Sequence, residues 1–387
     1  MARKKEKQQQ KQDHFKSILL VMIAIVAGFF GGWFGSRANN LQTNSNKTSV
    51  QREIINTQGD LISTISNDVG PSVVSVNVTS VSVSQDFFGF GRQTEQQSAG
   101  TGIILSSDGL IITNRHVVQT GTSKVSITLS SGVEVKDVKV VGRTNKSDPI
   151  DVAFLKITDA SGLELVPAVL GDSSNVEVGD SVVAIGNALG QFQNTVTSGI
   201  ISGFGRDIKA YDGSSLEPLQ NLFQTDAAIN GGNSGGPLVN SASEVIAINV
   251  ATAGADNISF AIPINDVKGL VETVLAEGKL VRPYLGIRYI PVTDDIAFNL
   301  DLPVKRGAYI PKGTDTQSSI FADSPAEKAG LKDEDIIIEI DGTKIDEKTS
   351  IVGVLGKKRV GDVVELKVLR NGEEKILQVV LEAAKDQ

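Results

Sequence analysis

The sequence predicts a mainly β protein: a double β-barrel domain, a small α+β domain after it, and a transmembrane helix in front. Three observations predict this. Short β-type runs recur from Gly100 to Pro263, separated by turns that contain Gly and Asp. Beyond Pro283, a capped short helix and a strand–Asn-Gly–strand pattern mark a second, smaller unit. Ile18–Gly35 is apolar throughout, apart from the Trp33 indole.

The N-terminus comes first. As a helix, Ile18–Gly35 would span roughly 27 Å, close to the bilayer core. Arg3, Lys4, Lys5, Lys7, Lys11 and Lys16 precede it. The positive-inside rule then keeps residues 1–16 in the cytoplasm, makes 17–36 a single-pass anchor and puts the rest outside the cell. A cleaved signal peptide is the competing reading, with Ser36-Arg37-Ala38 as a small-x-small site. The apolar run is long for a signal core, which favours the anchor. Residues 37–67 begin with a stretch rich in Asn, Gln, Ser and Thr and read as a flexible linker.

The 387 residues have room for two or three domains, with boundaries expected at 68–280 and 281–383. A net charge of −8 and the lack of a long basic face after the N-terminus argue against nucleic acid as a partner. The chain has no cysteine, which excludes disulfides and thiolate chemistry. Asp294-Asp295 and Asp333-Glu334-Asp335 lack the spacing of a calcium loop, so no metal and no cofactor are expected.

In the first domain, Val74, Val76 and Val78 alternate with polar residues as a half-buried strand does. The phase slips at Val81 and Val83, as at a bulge. Gln85–Ala99, with FFGFG and a polar run, reads as a mobile loop. Strands are expected in TGIILS, GLIITN, KVSITLS, DVKVVGR, DVAFLKI, SVVAIGN, TSGIIS, EVIAINV and ISFAIP. Asp266–Leu280 has a helical period, with Asn265 as its expected cap and Gly278 as its stop.

The chemistry centres on Gly231–Val239, GGNSGGPLV. Glycines around one serine let backbone N–H groups converge and leave room for a substrate. That suits a nucleophile with an oxyanion hole built from the N–H groups of Gly232 and Ser234. A Gly/Ser turn between strands is the plainer reading. A nucleophilic serine needs a base, and the chain has two histidines. His14 precedes the membrane segment, which leaves His116 in IITNRHVV. A third group must orient the imidazole. Asp151, at the edge of the apolar run DVAFLKI, is favoured over Asp148, a turn residue before Pro149. No histidine follows Ser234, which rules out the α/β-hydrolase order. The order His116, Asp151, Ser234 is that of the chymotrypsin type.

TGIILSSDGLIITNRHVV, DVAFLKI, TDAAINGGNSGGPLV and ISFAIP together resemble the HtrA/DegP family of membrane-anchored or exported serine proteases. PYLGI at Pro283–Ile287, SPAEKAGL and the closing hairpin resemble one PDZ domain. The resemblance implies an ATP-independent endopeptidase that degrades unfolded or damaged exported proteins, built as a homotrimer or higher assembly. It implies the triad His116, Asp151 and Ser234 and the oxyanion hole of Gly232 and Ser234. It also implies a peptide carboxylate-binding loop at Tyr284, Leu285, Gly286 and Ile287. Asn233 stands where secreted digestive relatives carry an aspartate that pairs with a freed N-terminus.

Two features depart from the family pattern. Gly231 stands where relatives commonly have proline, and Tyr309–Phe321 breaks the expected PDZ strand with a polar insertion. The primary specificity pocket is expected over Ala228 and Ile229, uncharged and suited to small or medium aliphatic side chains, with Ile229 as plain core the competing reading. A chaperone-like holdase or PDZ scaffold with little turnover is the alternative function.

Overall fold

The computed structural model describes residues 22–28, 59–85, 91–119, 121–146, 148–188, 192–211, 216–230, 232–252, 257–314 and 318–384. Two compact units divide between Leu61 and Ile62. In the first, residues 22–28 are helical and exposed. Most of Ile18–Gly35 lies outside the described residues. Among those described, no helix is long and apolar enough to cross a membrane.

The second unit opens in helix α1, residues 59–69. Its Ile65 and Val69, one turn apart, are buried. The helix overlaps the end of the stretch expected as a linker to residue 67.

Seven antiparallel strands follow: β1 (Val73–Gln85), β2 (Gly91–Ile104), β3 (Leu110–Thr113), β4 (Thr122–Thr128), β5 (Glu134–Val135), β6 (Val138–Arg143) and β7 (Ala153–Ile157). They lie in the order β5-β4-β1-β2-β3-β7-β6. Among the described residues this ladder is open, where a closed first barrel is expected. Period-2 alternation gives the sheet two apolar faces. Val74, Val76, Ile111 and Leu155 fill one cluster. Leu110, Ile112 and Phe154 face the other, shared with the second barrel.

Gln85–Ala99 is not the loop the sequence suggests. β2 pairs with β1 in continuous register from Val73↔Ile103 to Gln85↔Gly91. FFGFG itself lies partly outside the described residues. The phase slip after Val78 appears as a register shift against β4 between Thr79 and Ser80.

The second barrel is closed. It consists of β8 (Ser181–Ala188), β9 (Phe192–Tyr211), β10 (Leu216–Thr225), β11 (Pro237–Val239), β12 (Val245–Thr252) and β13 (Ser259–Pro263). Helix α2 (Ile264–Glu277) leaves β13 directly and ends at Gly278 in the left-handed region, φ 68°. The expected cap Asn265 lies inside the first turn instead, and the cap position is Pro263, which makes no side-chain cap bond. Asn265 Nδ2 donates to Asp172 at 2.7 Å.

The C-terminal region has a six-stranded sheet around its own apolar cluster, with Leu285, Ala326, Ile337, Leu355 and Leu366 among its members. Ser324 Oγ accepts from the Glu327 N–H at 3.2 Å, so half of the expected capping box forms. The Glu327 carboxylate accepts from the Asp323 N–H instead, at 2.7 Å. Asn371 and Gly372 both take positive φ, as the predicted hairpin turn requires. The insertion interrupts its strand after Ala308–Tyr309. Pairing resumes where Ile320 bridges Ile287.

Candidate active site

β3 and β7 pair so that Thr113 faces Ala153. The end of one strand therefore lies beside the start of the other. Asn114-Arg115-His116 leaves β3, and Asp151-Val152 enters β7. Val117 and Val118 donate backward to the Asn114 and Arg115 carbonyls and bury their own side chains, which fixes the turn that carries His116.

His116 Nδ1 lies 2.5 Å from Asp151 Oδ2, and the His116 backbone N–H donates to Oδ1 at 3.0 Å. Asn114 Nδ2 donates to the Asp151 carbonyl at 2.9 Å. The imidazole is 29% exposed and the carboxylate 4%. Burial opposes the imidazolium, but the Asp151 charge and its hydrogen bond outweigh it, so His116 titrates above its ordinary value. Burial opposes the Asp151 carboxylate too. Its partners His116 and Arg115 outweigh that and hold it below the usual carboxylate range.

Ser234 lies in the loop between β10 and β11, where Gly232 has φ 125° and Gly235 φ 83°. A Cβ on Gly235 would stand 2.2 Å from the Thr101 carbonyl and 2.4 Å from Thr113 Oγ1. The bare α-carbon there lets the loop press against the strand end that leads to His116, rather than leaving room for a substrate. Thr101 grips the loop twice: its Oγ1 donates to the Gly232 carbonyl at 2.5 Å, and its N–H donates to the Ser234 carbonyl at 2.9 Å.

The N–H groups of Asn233, Gly235 and Gly236 all donate within the fold. Among the described residues, those of Gly232 and Ser234 have no acceptor. Asn233 ties the loop to itself: its Oδ1 accepts from the Asn230 N–H at 2.9 Å, and its Nδ2 donates to the Ala228 carbonyl at 3.0 Å. The Ser234 hydroxyl donates to the Val250 carbonyl at 3.4 Å, and no hydrogen bond joins it to His116 among the described residues. Ala228 is exposed, whereas Ile229 is 1% exposed. Gly231 lies outside the described residues.

Asp148 is a turn residue, as its sequence suggests: its Oδ2 accepts from the Asn145 N–H at 3.0 Å, and its Oδ1 pairs with Arg282. Arg115, Glu217, Thr101 and Asn114 are buried around this site and were not singled out in the sequence. Their signal is a polar residue inside or beside an apolar run, which many surface strands also show.

The carboxylate-loop residues are contiguous in the C-terminal region. Gly286 has φ 79°, and a Cβ there would stand 2.3 Å from the Ser324 Cβ. Arg288 donates to the Ser319 carbonyl at 2.7 Å and Phe321 to the Gly286 carbonyl at 2.9 Å. The N–H groups of Leu285, Gly286 and Ile287 have no acceptor among the described residues. Tyr284 is held by pairing with Glu382.

A β-barrel scaffold with a His–Asp pair at one strand end and a serine in a glycine loop is the arrangement of the trypsin-like class, and residues 100–248 match the trypsin-like peptidase domain model. Residues 283–381 match a PDZ domain. Serine protease Do-like HtrB of Bacillus subtilis (strain 168) is 39% identical over 337 residues, covering 84% of this chain and 71% of that protein. Serine protease Do-like HtrA of the same strain is 36% identical over 341 residues, covering 83% and 72%. A probable periplasmic serine endoprotease DegP-like from Halomonas elongata is 37% identical over 295 residues, 75% of this chain and 58% of that protein. Among solved structures, HtrA-type protease AlgW with decapeptide aligns with TM-score 0.58 at 29% identity, covering 84% of this chain and 99% of that one. The chain belongs to the HtrA/DegP family of serine proteases, with one trypsin-like domain and one PDZ domain, and is a serine endopeptidase.

Proposed function

We propose that Ser234 is the nucleophile, His116 its general base and Asp151 the group that orients His116. The observation that carries this reading is the 2.5 Å contact between His116 Nδ1 and Asp151 Oδ2. It directs Nε2 away from the carboxylate, as proton transfer from a serine requires. Ser234 turns from the Val250 carbonyl toward His116, a rotation about one single bond. Its Oγ attacks the scissile carbonyl while His116 takes the proton. The free N–H groups of Gly232 and Ser234 then meet the tetrahedral oxyanion, a type of contact worth roughly 2.7–4 kcal/mol per donor. His116 returns the proton to the leaving amine, and water repeats the sequence on the acyl-enzyme.

The substrates in this reading are unfolded or damaged exported proteins at the cell surface, cut after small or medium aliphatic residues over Ala228. Peptide C-termini dock at Tyr284–Ile287, where three free N–H groups receive the carboxylate. The basic N-terminus and apolar run support a single-pass anchor, and the family resemblance supports a homotrimer or higher assembly. Incubating casein with wild type and with Ser234→Ala tests the activity. Cleavage by wild type alone is expected. Equal inertness of both, with aggregation still suppressed, would favour the holdase instead.

A further inference from the structure

Arg115 precedes His116 in sequence, and its guanidinium side chain is 6% exposed. A charge so buried needs partners. Nη2 donates to Glu217 Oε2 at 2.6 Å. Nη1 donates to Thr144 Oγ1 at 2.9 Å, to the Ile150 carbonyl at 3.1 Å and to the Asn145 carbonyl. Nε has no hydrogen-bond acceptor among the described residues and lies 3.7 Å from Asp151 Oδ1. One side chain thus joins three pieces of backbone. These are the turn that carries His116, the 144–151 loop that ends in Asp151, and, through Glu217, strand β10 of the second barrel. β10 leads into the loop that carries Ser234.

We propose that Arg115, anchored by Glu217, is a positioning residue that holds the Asp151 carboxylate in register with His116. The inference rests on reading His116, Asp151 and Ser234 as the reacting set. Asp151 Oδ2 is committed to the imidazole, while Oδ1 has the His116 N–H on one side and the guanidinium on the other. A cation at Oδ1 resists rotation of the carboxylate, which would carry Oδ2 off Nδ1. The fork fits this double duty better than an ammonium: two nitrogens anchor to Glu217 and the loop while the third faces Asp151.

Packing alone predicts something different from positioning. The charged groups around His116 are Asp151, Arg115 and Glu217, with Lys146 Nζ 3.4 Å from the far oxygen of Glu217. Asp148, farther along the same loop, is engaged by Arg282. Arg115 opposes the imidazolium and Glu217 favours it. Loss of the Arg115 charge alone would raise the titration of His116, whereas release of the Asp151 carboxylate would lower it and by more, because the charge and hydrogen bond of Asp151 act on the imidazole more strongly than Arg115 does. A cation that is only a neighbour therefore moves the titration up or not at all, and one that positions the carboxylate moves it down.

The test is the pH dependence of kcat/KM for a short internally quenched peptide, measured on the full chain. Wild type, Arg115→Lys, Arg115→Met and Glu217→Gln are compared, each with its thermal melting curve. The expected results are an acid limb in wild type, a limb about half a pH unit lower in Arg115→Met and a smaller downward move in Glu217→Gln. Arg115→Met should also lose kcat about tenfold with KM nearly unchanged, because the loss falls on the transition state. Arg115→Lys should return the limb toward wild type while recovering kcat only in part. Should Arg115→Met not fold, Glu217→Gln and Arg115→Lys decide the question by the same shifts. A limb that moves up in Arg115→Met, or that none of these variants moves, with activity tracking melting temperature, overturns the inference and leaves the triad standing. A wild type with no acid limb removes the base assignment, and this inference with it.

Discussion

The Asp266 carboxylate accepts a hydrogen bond from the Ser350 hydroxyl at 2.9 Å, joining the first turn of α2 to the cap of α3 (Ile351–Gly356) in the PDZ region. Its other oxygen accepts from Asn221 Nδ2 at 3.0 Å, on β10. Protease strand, connecting helix and PDZ helix thus meet at one buried carboxylate. Burial pushes its pKa up to about 6, against the pull of the Asn221 and Ser350 hydrogen bonds.

A carboxyl raised in the folded state disfavours folding once it must ionise. Between about pH 4, where the unfolded chain ionises, and about pH 6, the native state holds the extra proton, so this group's contribution falls as pH rises. Asp266→Asn keeps an acceptor for Asn221 and removes the charge. Its melting temperature relative to wild type should therefore climb across that window and level off above it. A constant difference from pH 4 to pH 7 would show that Asp266 ionises normally.

Helices α2 and α3 cross backbone against backbone. A Cβ on Gly269 would stand 1.5 Å from the Gly356 carbonyl oxygen. Gly269→Ala should therefore destabilise the chain by about 1–3 kcal/mol, in the range of overpacked sites, even though alanine favours helix. Gly70→Ala, which meets nothing within 4 Å, serves as the control. Urea midpoints for the two variants should separate clearly, and coincident midpoints would contradict the crossing.

Thr101 holds the Gly232 carbonyl from the neighbouring sheet. Thr101→Val keeps the shape and removes the hydroxyl. Peptide cleavage should fall about three- to tenfold, because one hydrogen bond of about 1 kcal/mol no longer fixes the loop. Steady-state kinetics on folded protein checks this. Unchanged kcat would mean that the Thr101 N–H bond to Ser234 suffices.

Much of this arrangement is legible in the sequence because its signals are local. The alternation in GLIITN and DVAFLKI marks β3 and β7, and a single histidine after His14, together with one glycine-framed serine, narrows the candidate chemistry to one set of residues. Gly278, Ser324 and Asn371-Gly372 stop, cap or turn the chain through their own backbone preferences. β10 is illegible for a physical reason. Its register shifts three times against β9, and Asn221 within it takes φ 57°, so no period of two survives. With β10 hidden, Glu217 has no place in the fold, and Arg115 reads as one more surface cation. The extent of β2 is also hidden, because GRQTEQQS carries no apolar pattern.

The central claim is that Ser234 is a nucleophile activated by His116. A fluorophosphonate probe measures this directly by forming a covalent bond to an activated serine, with loss of fluoride. Intact mass followed by peptide mapping should find one adduct per chain, on the peptide that contains Ser234. The adduct should be absent in Ser234→Ala and at least a hundredfold slower to form in His116→Ala, in line with the usual size of general-base assistance, about 10²–10⁴. Labelling at another serine, or at Ser234 with undiminished rate in a folded His116→Ala, would contradict the account.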